Sequence, residues 1–239
     1  MKKRMGLLMC VAALVVGVYA PALAVETSGS VAYVSKYIWR GFDLGPANQD
    51  ALQTSITVGW KNGASLNIWG SYAMDGDMQF DEHDYTLGYA TSLSDNVGLS
   101  AGYTHYTFPS VITGTETQTE STEFYLGFSF PKVVLKPAVT VYEDTEAGGG
   151  TYIYVSGGTE FALDLGAKPQ IISFKAGAGY NNGQWAPVSG ITNIDLSLST
   201  TFKSGTVDIT PSVNYTINNE DAVNTDNEFW VGVNCGFGL

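Results

Sequence analysis

Cysteine is scarce in this sequence. The 239 residues include two cysteines, Cys10 and Cys235, and Cys10 lies in a stretch that we expect to be removed. That stretch, residues 1–24, has a basic start, an apolar run from Leu7 to Val18 and small residues at its end, which is the pattern of a secretory signal peptide. The predicted mature domain, residues 25–239, would retain Cys235 alone, so an intrachain disulfide is excluded.

Long apolar runs and helix-period stretches are also missing. The apolar run of the leader is too short to cross a membrane as a helix, and no later run is long enough. Instead, apolar and polar residues alternate one by one, most clearly in residues 191–203 and 206–217. A two-residue period is typical of strands, in which successive side chains point to opposite faces. The sequence therefore predicts an all-β protein.

Twelve strand-like runs, bounded by turn residues, follow the leader. Short and long connections alternate between them, which is typical of outer-membrane barrels, whereas a soluble sandwich has no reason to keep this order. We therefore predict a transmembrane up-and-down antiparallel β-barrel of about 12 strands, with both termini at the short-turn end. The predicted runs are 30–40, 52–60, 65–74, 80–91, 96–108, 120–130, 133–143, 151–163, 169–180, 191–203, 206–217 and 228–239.

Lysine and glutamate are rare on the polar face of these strands, where small polar residues suit the interior of a narrow barrel. Aromatic residues on the apolar face are predicted to form two belts, as expected at the two interfaces of a bilayer. We therefore expect lipid and lipopolysaccharide around the barrel, and assembly machinery that reads the final strand during biogenesis. The predicted belts comprise Trp60, Phe130, Phe161, Phe202 and Phe237 near the short turns, and Trp39, Tyr72, Tyr85, Tyr103, Phe124, Tyr215 and Phe229 near the long loops.

Basic residues are few. The chain has 11 Lys and Arg against 23 Asp and Glu, and removal of the leader takes away Lys2, Lys3 and Arg4. A nucleic-acid partner, which requires a basic patch, is excluded. Most of the acids lie in or beside the predicted long loops, so we expect an acidic outer mouth that concentrates cations.

Charges of both signs are predicted on the inward face. They could line an aqueous pore and set its selectivity, or they could pair across the lumen and plug a small barrel. The leading hypothesis is a porin for passive diffusion of small hydrophilic solutes or ions, with a weak cation preference. The alternative is a non-conducting barrel whose acidic loops serve adhesion, binding or membrane integrity. Residues 109–119 are a candidate constriction, and the predicted pore-lining residues are Lys36, Arg40, Glu123, Lys136, Glu160, Lys175, Asp195 and Asp208.

Histidine is limited to His83 and His105. The predicted turn between their strands pairs Tyr85 with Tyr103 and Leu87 with Ala101, so the two histidines would lie nearly opposite each other on the outward face. A lipid hydrolase could use His105 with Ser121, but no Gly-x-Ser-x-Gly elbow is present. A metal site could use the histidines or the acid-rich residues 75–84, but their spacing fits no calcium loop. The sequence therefore predicts no catalytic, cofactor-binding or metal-binding residues.

The segment "YVSKYIWRGFDLG", residues 33–45, places two basic residues among aromatic ones. As a strand, it would direct Tyr37 and Trp39 toward lipid and Lys36 and Arg40 into the lumen. The segment resembles the N-terminal strand of the TorF-like porins, which are Gram-negative outer-membrane proteins known mainly by homology. Its Trp39-Arg40-Gly41 step matches the aromatic-Arg-Gly step of that family. The resemblance implies an outer-membrane barrel with a porin-like role.

Overall fold

The computed structural model describes residues 25–45, 49–74, 80–108, 120–164, 166 and 169–239. Nearly all of this part of the chain forms antiparallel strands, and no helix in these ranges is long and apolar enough to cross a membrane. The strands are β1 (Val25–Val34), β2 (Ile38–Trp39), β3 (Phe42–Asp43), β4 (Ala51–Trp60), β5 (Ala64–Ala73), β6 (Phe80–Ser94), β7 (Val97–Thr107), β8 (Glu120–Ser129), β9 (Ala138–Asp144), β10 (Gly150–Leu163), β11 (Gln170–Asn182), β12 (Ser189–Thr200), β13 (Phe202–Ser204), β14 (Val207–Asn218) and β15 (Glu228–Gly238).

The sheet closes on itself. β1 pairs with β4 on one side and with β15 on the other, so that Val31 lies opposite both Thr54 and Cys235. β12 and β13 both pair with β14 and together occupy one strand position, while β2 and β3 pair with each other. The described residues thus form a 12-stranded antiparallel barrel, which confirms the predicted fold.

The distribution of polar and apolar side chains is inverted relative to a soluble protein. Among the described residues, seven apolar side chains are buried, against 14 polar or charged ones. Large apolar side chains instead cover the outside, where Leu87, Phe124 and Phe229 are 55%, 51% and 62% exposed. A polar interior and an apolar exterior are the arrangement of a membrane barrel.

The first predicted strand is wrong in its second half, because β1 ends at Val34 and the chain then turns into the lumen. β2 and β3 form a hairpin in which Trp39 pairs with Phe42, leaving Arg40 and Gly41 as a two-residue turn. Both turn residues have positive φ, 51° and 90°, as a type I′ turn requires. Trp39 therefore does not belong to the outer aromatic belt, and Tyr37 does not face lipid.

The predicted strand 133–143 begins too early, because β9 starts at Ala138. The eight-residue connection 130–137 contains Leu135 and Lys136 at positive φ and ends at Pro137, so Lys136 does not lie on a strand. The connection between β9 and β10, 145–149, is shorter, so the predicted alternation of loop lengths fails at this point. Proline lacks the N–H that a ladder position needs, which explains why β9 begins after it.

Pro211 does lie within a strand, at a point where pairing is interrupted. Residues 212–218 of β14 pair with β12, where Ser212 lies opposite Ser199. Residues 207–209 of β14 pair with β13, where Ile209 lies opposite Phe202. Thr210 and Pro211 have no ladder partner in β12 or β13, whereas on the other side Pro211 stays opposite Val233 of β15. A gap in the ladder is a place where a residue without an N–H is tolerated.

The pairing of β6 with β7 differs from the prediction by two residues. Tyr85 lies opposite His105, and Leu87 lies opposite Tyr103, whereas the predicted partners were Tyr103 and Ala101. The register shifts between Ser92 and Ser94, next to a two-residue turn. A shift of two keeps every side chain on its predicted face.

Candidate functional site in the lumen

The β2–β3 hairpin lies inside the barrel, near the end with the long connections. On one side, Tyr37 donates a hydrogen bond of 2.8 Å to Glu82 of β6, and its ring lies 5.6 Å from that of Trp69 on β5. Burial, together with the charge of Glu82, raises the pKa of Tyr37 well above its ordinary value, so its hydroxyl remains a donor. On another side, Lys36 pairs with Glu228 of β15 at 2.5 Å. We call residues 36–43 the internal hairpin.

Arg40, in the turn of the internal hairpin, crosses the lumen to the far wall. Its guanidinium donates two hydrogen bonds, of 2.6 and 2.9 Å, to the carboxylate of Glu123 on β8, and another to Gln184 between β11 and β12. The guanidinium carbon lies 4.2 Å and 4.6 Å from the ring centroids of Tyr142 and Tyr152. These are distances at which an aromatic face attracts a cation.

The Arg40–Glu123 pair is almost removed from solvent, with side chains 10% and 1% exposed. Burial alone would lower the pKa of Arg40, but the hydrogen bonds and charge of Glu123 outweigh it and raise that pKa. Glu123 also accepts hydrogen bonds from the Tyr106 hydroxyl, at 3.0 Å, and from Gln184, at 2.9 Å. Neighbouring side chains thus satisfy the remaining hydrogen-bonding capacity of this buried ion pair. The pair therefore anchors the internal hairpin to the wall.

Gly41 brings the hairpin backbone close to a third part of the wall. A Cβ atom at this position would lie 2.7 Å from Oδ1 of Asn218 and 3.1 Å from side-chain carbons of Asn193 and Val223. The positive φ of Gly41 also favours glycine. In the Trp39-Arg40-Gly41 step, Arg40 and Gly41 form the turn of the internal hairpin, Arg40 supplies the charge, and Gly41 allows the backbone to approach the wall closely. The internal hairpin thus resembles a plug in the lumen.

The internal hairpin leaves a cavity of about 260 Å³ between itself and strands β15, β1 and β4–β7. We call this the upper cavity. Its charged and aromatic lining residues are Lys36, Tyr37, Trp39, Trp69, Asp84, Tyr106 and Trp230.

A second cavity, of about 450 Å³, lies along β10, β11 and β12, nearer the short-turn end of the lumen. We call it the lower cavity, and its charged lining residues are Lys136, Glu160, Lys175 and Asp195. Asp195 accepts hydrogen bonds from Tyr154 and Thr216, of 3.0 and 2.9 Å. Among the described residues, Lys136, Glu160 and Lys175 make no ion pair within 4 Å.

The predicted pore-lining residues thus fall into three groups. Lys36, Arg40 and Glu123 belong to the hairpin and its anchor, and the second group lines the lower cavity. Asp208 lies near the short-turn end, where it pairs with Lys203 at 2.7 Å. The structure brings Arg40 and Glu123 into direct contact. Residues 1–24 and 109–119, together with Asp75 and Asp77 of the acid-rich run, lie outside the described residues.

The structure does not bring His105 and Ser121 together as a catalytic pair. Ser121 is buried and donates to the carboxylate of Asp144, at 2.7 Å from Oδ1. His105 lies opposite Thr122 on the outward face, and its Nδ1 is 3.5 Å from the Thr122 hydroxyl. Within the ranges that the structure describes, no group of three His, Cys, Asp or Glu side chains is placed to hold a metal ion.

Several residues that hold the internal hairpin were not predicted from the sequence. Tyr142 and Tyr152 lie on the inward face of their strands, so alternation could have indicated their position. Glu228 begins the final strand and could have been found in the same way. Gln184 lies in a connection, where the sequence gives no signal of its contact with Arg40.

The family of this chain is identified by a match that covers most of its length. A family model described as "Bacterial protein of unknown function (Gcw_chp)" matches residues 19–236. The chain belongs to this family. A search of curated proteins finds no relative of the chain.

Solved structures show where the fold of this Gcw_chp member occurs elsewhere. The KdgM porin, solved in complex with disordered oligogalacturonate, is 10% identical, with a TM-score of 0.58 over 89% of this chain and 99% of that one. The NanC porin is 11% identical, with a TM-score of 0.50 over 90% and 100%. LpxR from Salmonella typhimurium is 8% identical, with a TM-score of 0.52 over 88% and 99%. At these identities the similarity shows the fold, which is that of small outer-membrane barrels.

Proposed function

We propose that this barrel is a narrow porin through which small hydrophilic solutes or ions diffuse passively, with a weak preference for cations. The lower cavity carries the proposal. Lys136, Glu160 and Lys175 line it without an ion-pair partner among the described residues. Charges without protein partners need water around them. Selective conduction requires a water-filled lumen that is lined by charges of both signs.

Two similarities support the proposal. The fold is shared with the KdgM and NanC porins, and KdgM has been solved in complex with disordered oligogalacturonate, which is a hydrophilic molecule. The resemblance of residues 33–45 to the TorF-like porins points the same way. A non-catalytic role without metal or cofactor is part of the proposal, and it is supported by the separation of His105 from Ser121.

The same reasoning supports a place in the bacterial outer membrane. Residues 1–24 would direct export, and assembly machinery would insert the barrel among lipid and lipopolysaccharide. We place the long connections outside the cell and both termini in the periplasm, because long loops of such barrels are extracellular. The acids of those loops would then form an outer mouth that attracts cations.

A closed barrel is the second candidate, and the internal hairpin favours it. Two ion pairs anchor the hairpin on opposite sides of the lumen, Lys36 with Glu228 and Arg40 with Glu123. In a closed barrel, the acidic loops would be the functional surface, for adhesion, binding or membrane integrity.

Single-channel recording in a planar bilayer under a salt gradient distinguishes these candidates. We expect discrete current steps with a cation-leaning reversal potential, and a further shift toward cations in Lys175→Glu, because Lys175 lines the lower cavity. Lys132→Glu is the control, since Lys132 lies in an exposed turn and pairs only with exposed Asp95. Folded protein that passes no current would support the closed barrel, and an unchanged reversal potential in Lys175→Glu would remove Lys175 from the pore.

A further inference from the structure

The ring of Tyr154 lies flat against the inner wall of the barrel, beside the lower cavity. Tyr154 is on β10 and its hydroxyl donates to Asp195 on β12, so the ring spans β11, which lies between these two strands. Gly177 of β11 lies under the ring, where a Cβ atom would be 2.4 Å from Cζ of Tyr154. Because Gly177 has no side chain, one face of the ring rests on the backbone and the other face is turned toward the lumen.

Tyr154 is the accessible end of a longer aromatic surface. Tyr152, two residues earlier on β10, rests on Gly179 in the same way, and the two rings are nearly parallel, with an interplanar angle of 15° and centroids 6.2 Å apart. The guanidinium of Arg40 lies over Tyr152, which is only 2% exposed. Tyr154 is half-buried and lines the lower cavity, so its free face can meet a solute.

Hydroxyl and charged groups continue along the wall from this ring toward the short-turn end. Lys175 is two residues from Gly177 on β11 and lies opposite Ser197. Glu160 lies opposite Ser173, which is two residues further along β11. Two residues of a strand span roughly 7 Å, so the polar pairs follow the ring at steps of that length. Since ammonium groups donate, carboxylates accept and hydroxyls do both, the wall offers donors and acceptors in alternation.

The charges of the lower cavity are balanced. Lys136 and Lys175 are positive, and Glu160 and Asp195 are negative. A lining with equal numbers of both signs favours neither an anion nor a cation as a whole. A neutral solute with several hydroxyls suits it better, because hydroxyls can accept from the lysines and donate to Glu160.

We infer that the lower cavity binds a neutral saccharide, with one sugar ring stacked on Tyr154 and its hydroxyls bonded to the polar groups beside it. A pyranose ring carries C–H groups on its faces, whose positive partial charge is attracted to the negative face of an aromatic ring. The volume of about 450 Å³ lies within the range of about 300–1,000 Å³ that is usual for small-molecule sites. The inference deepens the proposed function and rests on it, because it names a solute class for the same lumen.

Glucose and galactose are suitable probes, because they are neutral pyranoses that differ only at C4. Glucuronate and galacturonate keep the ring but add a carboxylate, and sorbitol keeps the hydroxyls but has no ring. We expect saturation-transfer NMR on the folded protein in detergent to show saturable binding of at least one neutral sugar, tighter than binding of its uronate and of sorbitol. Failure of both neutral sugars to bind, or an affinity for a uronate or for sorbitol that matches theirs, would overturn the inference.

Two substitutions of Tyr154 test the stacking. Tyr154→Leu removes the ring, and we expect a loss of sugar affinity of about fivefold. Tyr154→Phe keeps the ring and loses only the hydroxyl, so we expect it to retain most of the affinity. Tyr89→Leu is the control, because Tyr89 lies on the outward face and is 45% exposed. Equal losses in the two Tyr154 variants, or a similar loss in Tyr89→Leu, would contradict stacking on this ring.

Gly177→Ala tests the position of the ring while Tyr154 itself is kept. The added Cβ would push the ring away from the wall, so we expect a loss of sugar affinity similar to that in Tyr154→Leu. Gly236→Ala is the matched control, because Gly236 is also a strand glycine and the nearest atom to an added Cβ lies 3.7 Å away. Heat-dependent gel mobility shows whether each variant is folded. Unchanged affinity in Gly177→Ala, or equal losses in both glycine variants, would contradict a sugar site on the Tyr154 ring.

Binding in detergent is independent of current across a bilayer, so the two proposals can fail separately. Sugar binding with a silent bilayer would remove the pore and leave the saccharide site. Current steps without sugar binding would remove the saccharide site and leave the pore.

Discussion

Arg40 stands in a backbone conformation that disfavours any side chain. Its φ of 51° lies in the left-handed region, which raises the energy of a non-glycine residue by about 1–2 kcal/mol. The contacts with Glu123, Gln184 and the rings of Tyr142 and Tyr152 offset this strain. Strained residues held by their surroundings are common at functional sites, which agrees with a role of Arg40 in fixing the hairpin across the lumen.

Loss of the Arg40 side chain should strongly destabilise the protein. Arg40→Ala leaves Glu123 buried without its partner, so we expect the free energy of unfolding to fall by about 3–5 kcal/mol. Reversible urea unfolding in lipid vesicles measures it. Lys132→Ala, which breaks an exposed pair, should lower it by less than about 1 kcal/mol. Equal effects of the two substitutions would show that the Arg40–Glu123 pair does not hold the hairpin.

Single-residue placement was predictable where a residue lies on a continuous strand. Glu123, Glu160 and Lys175 were predicted on the inward face, and the structure places them there. Tyr37 and Trp39 were predicted toward lipid, and they line the upper cavity instead. Alternation assigns faces only while the strand continues, and it does not show where the chain leaves the sheet.

The internal hairpin is the element that sequence analysis misread. A type I′ turn usually contains Asn-Gly or Asp-Gly, and those pairs are strong hairpin signals. Here Arg40 occupies the first turn position, so the signal is hidden in an Arg-Gly step. Gly41 was the remaining clue, since a glycine inside a strand pattern often marks a bend or a close approach.

Filling the space beside Gly41 should displace the internal hairpin. In Gly41→Ala, the added Cβ would lie 2.7 Å from Oδ1 of Asn218, too close for a settled contact. We expect a larger single-channel conductance than that of the unaltered protein. Gly205→Ala is the matched control, because Gly205 also has positive φ, 61°, but has open space around it. A conductance increase in both variants, or in neither, would contradict a hairpin that limits the current.

At the scale of the whole molecule, strand number, antiparallel order and closure were predictable. They depend on local alternation and on turns between neighbouring strands, both of which the sequence displays. The filling of the lumen was not predictable, because it depends on contacts between distant residues. Arg40 and Glu123 are 83 positions apart, and Lys36 and Glu228 are 192 apart. Neither contact can be read from the local pattern of alternation and turns.

We propose that the protein as a whole is a narrow conducting barrel that residues 36–43 constrict from within. Val34 and Ala51 are paired neighbours in β1 and β4, so a short Gly-Ser linker can replace residues 35–50, which include the internal hairpin, without moving either strand. The most direct test is the single-channel conductance of this variant beside that of the unaltered protein, with folding checked by heat-dependent gel mobility. We predict that removal of the hairpin raises the conductance severalfold and keeps the barrel folded. A folded variant with unchanged conductance, or with none, would contradict the account.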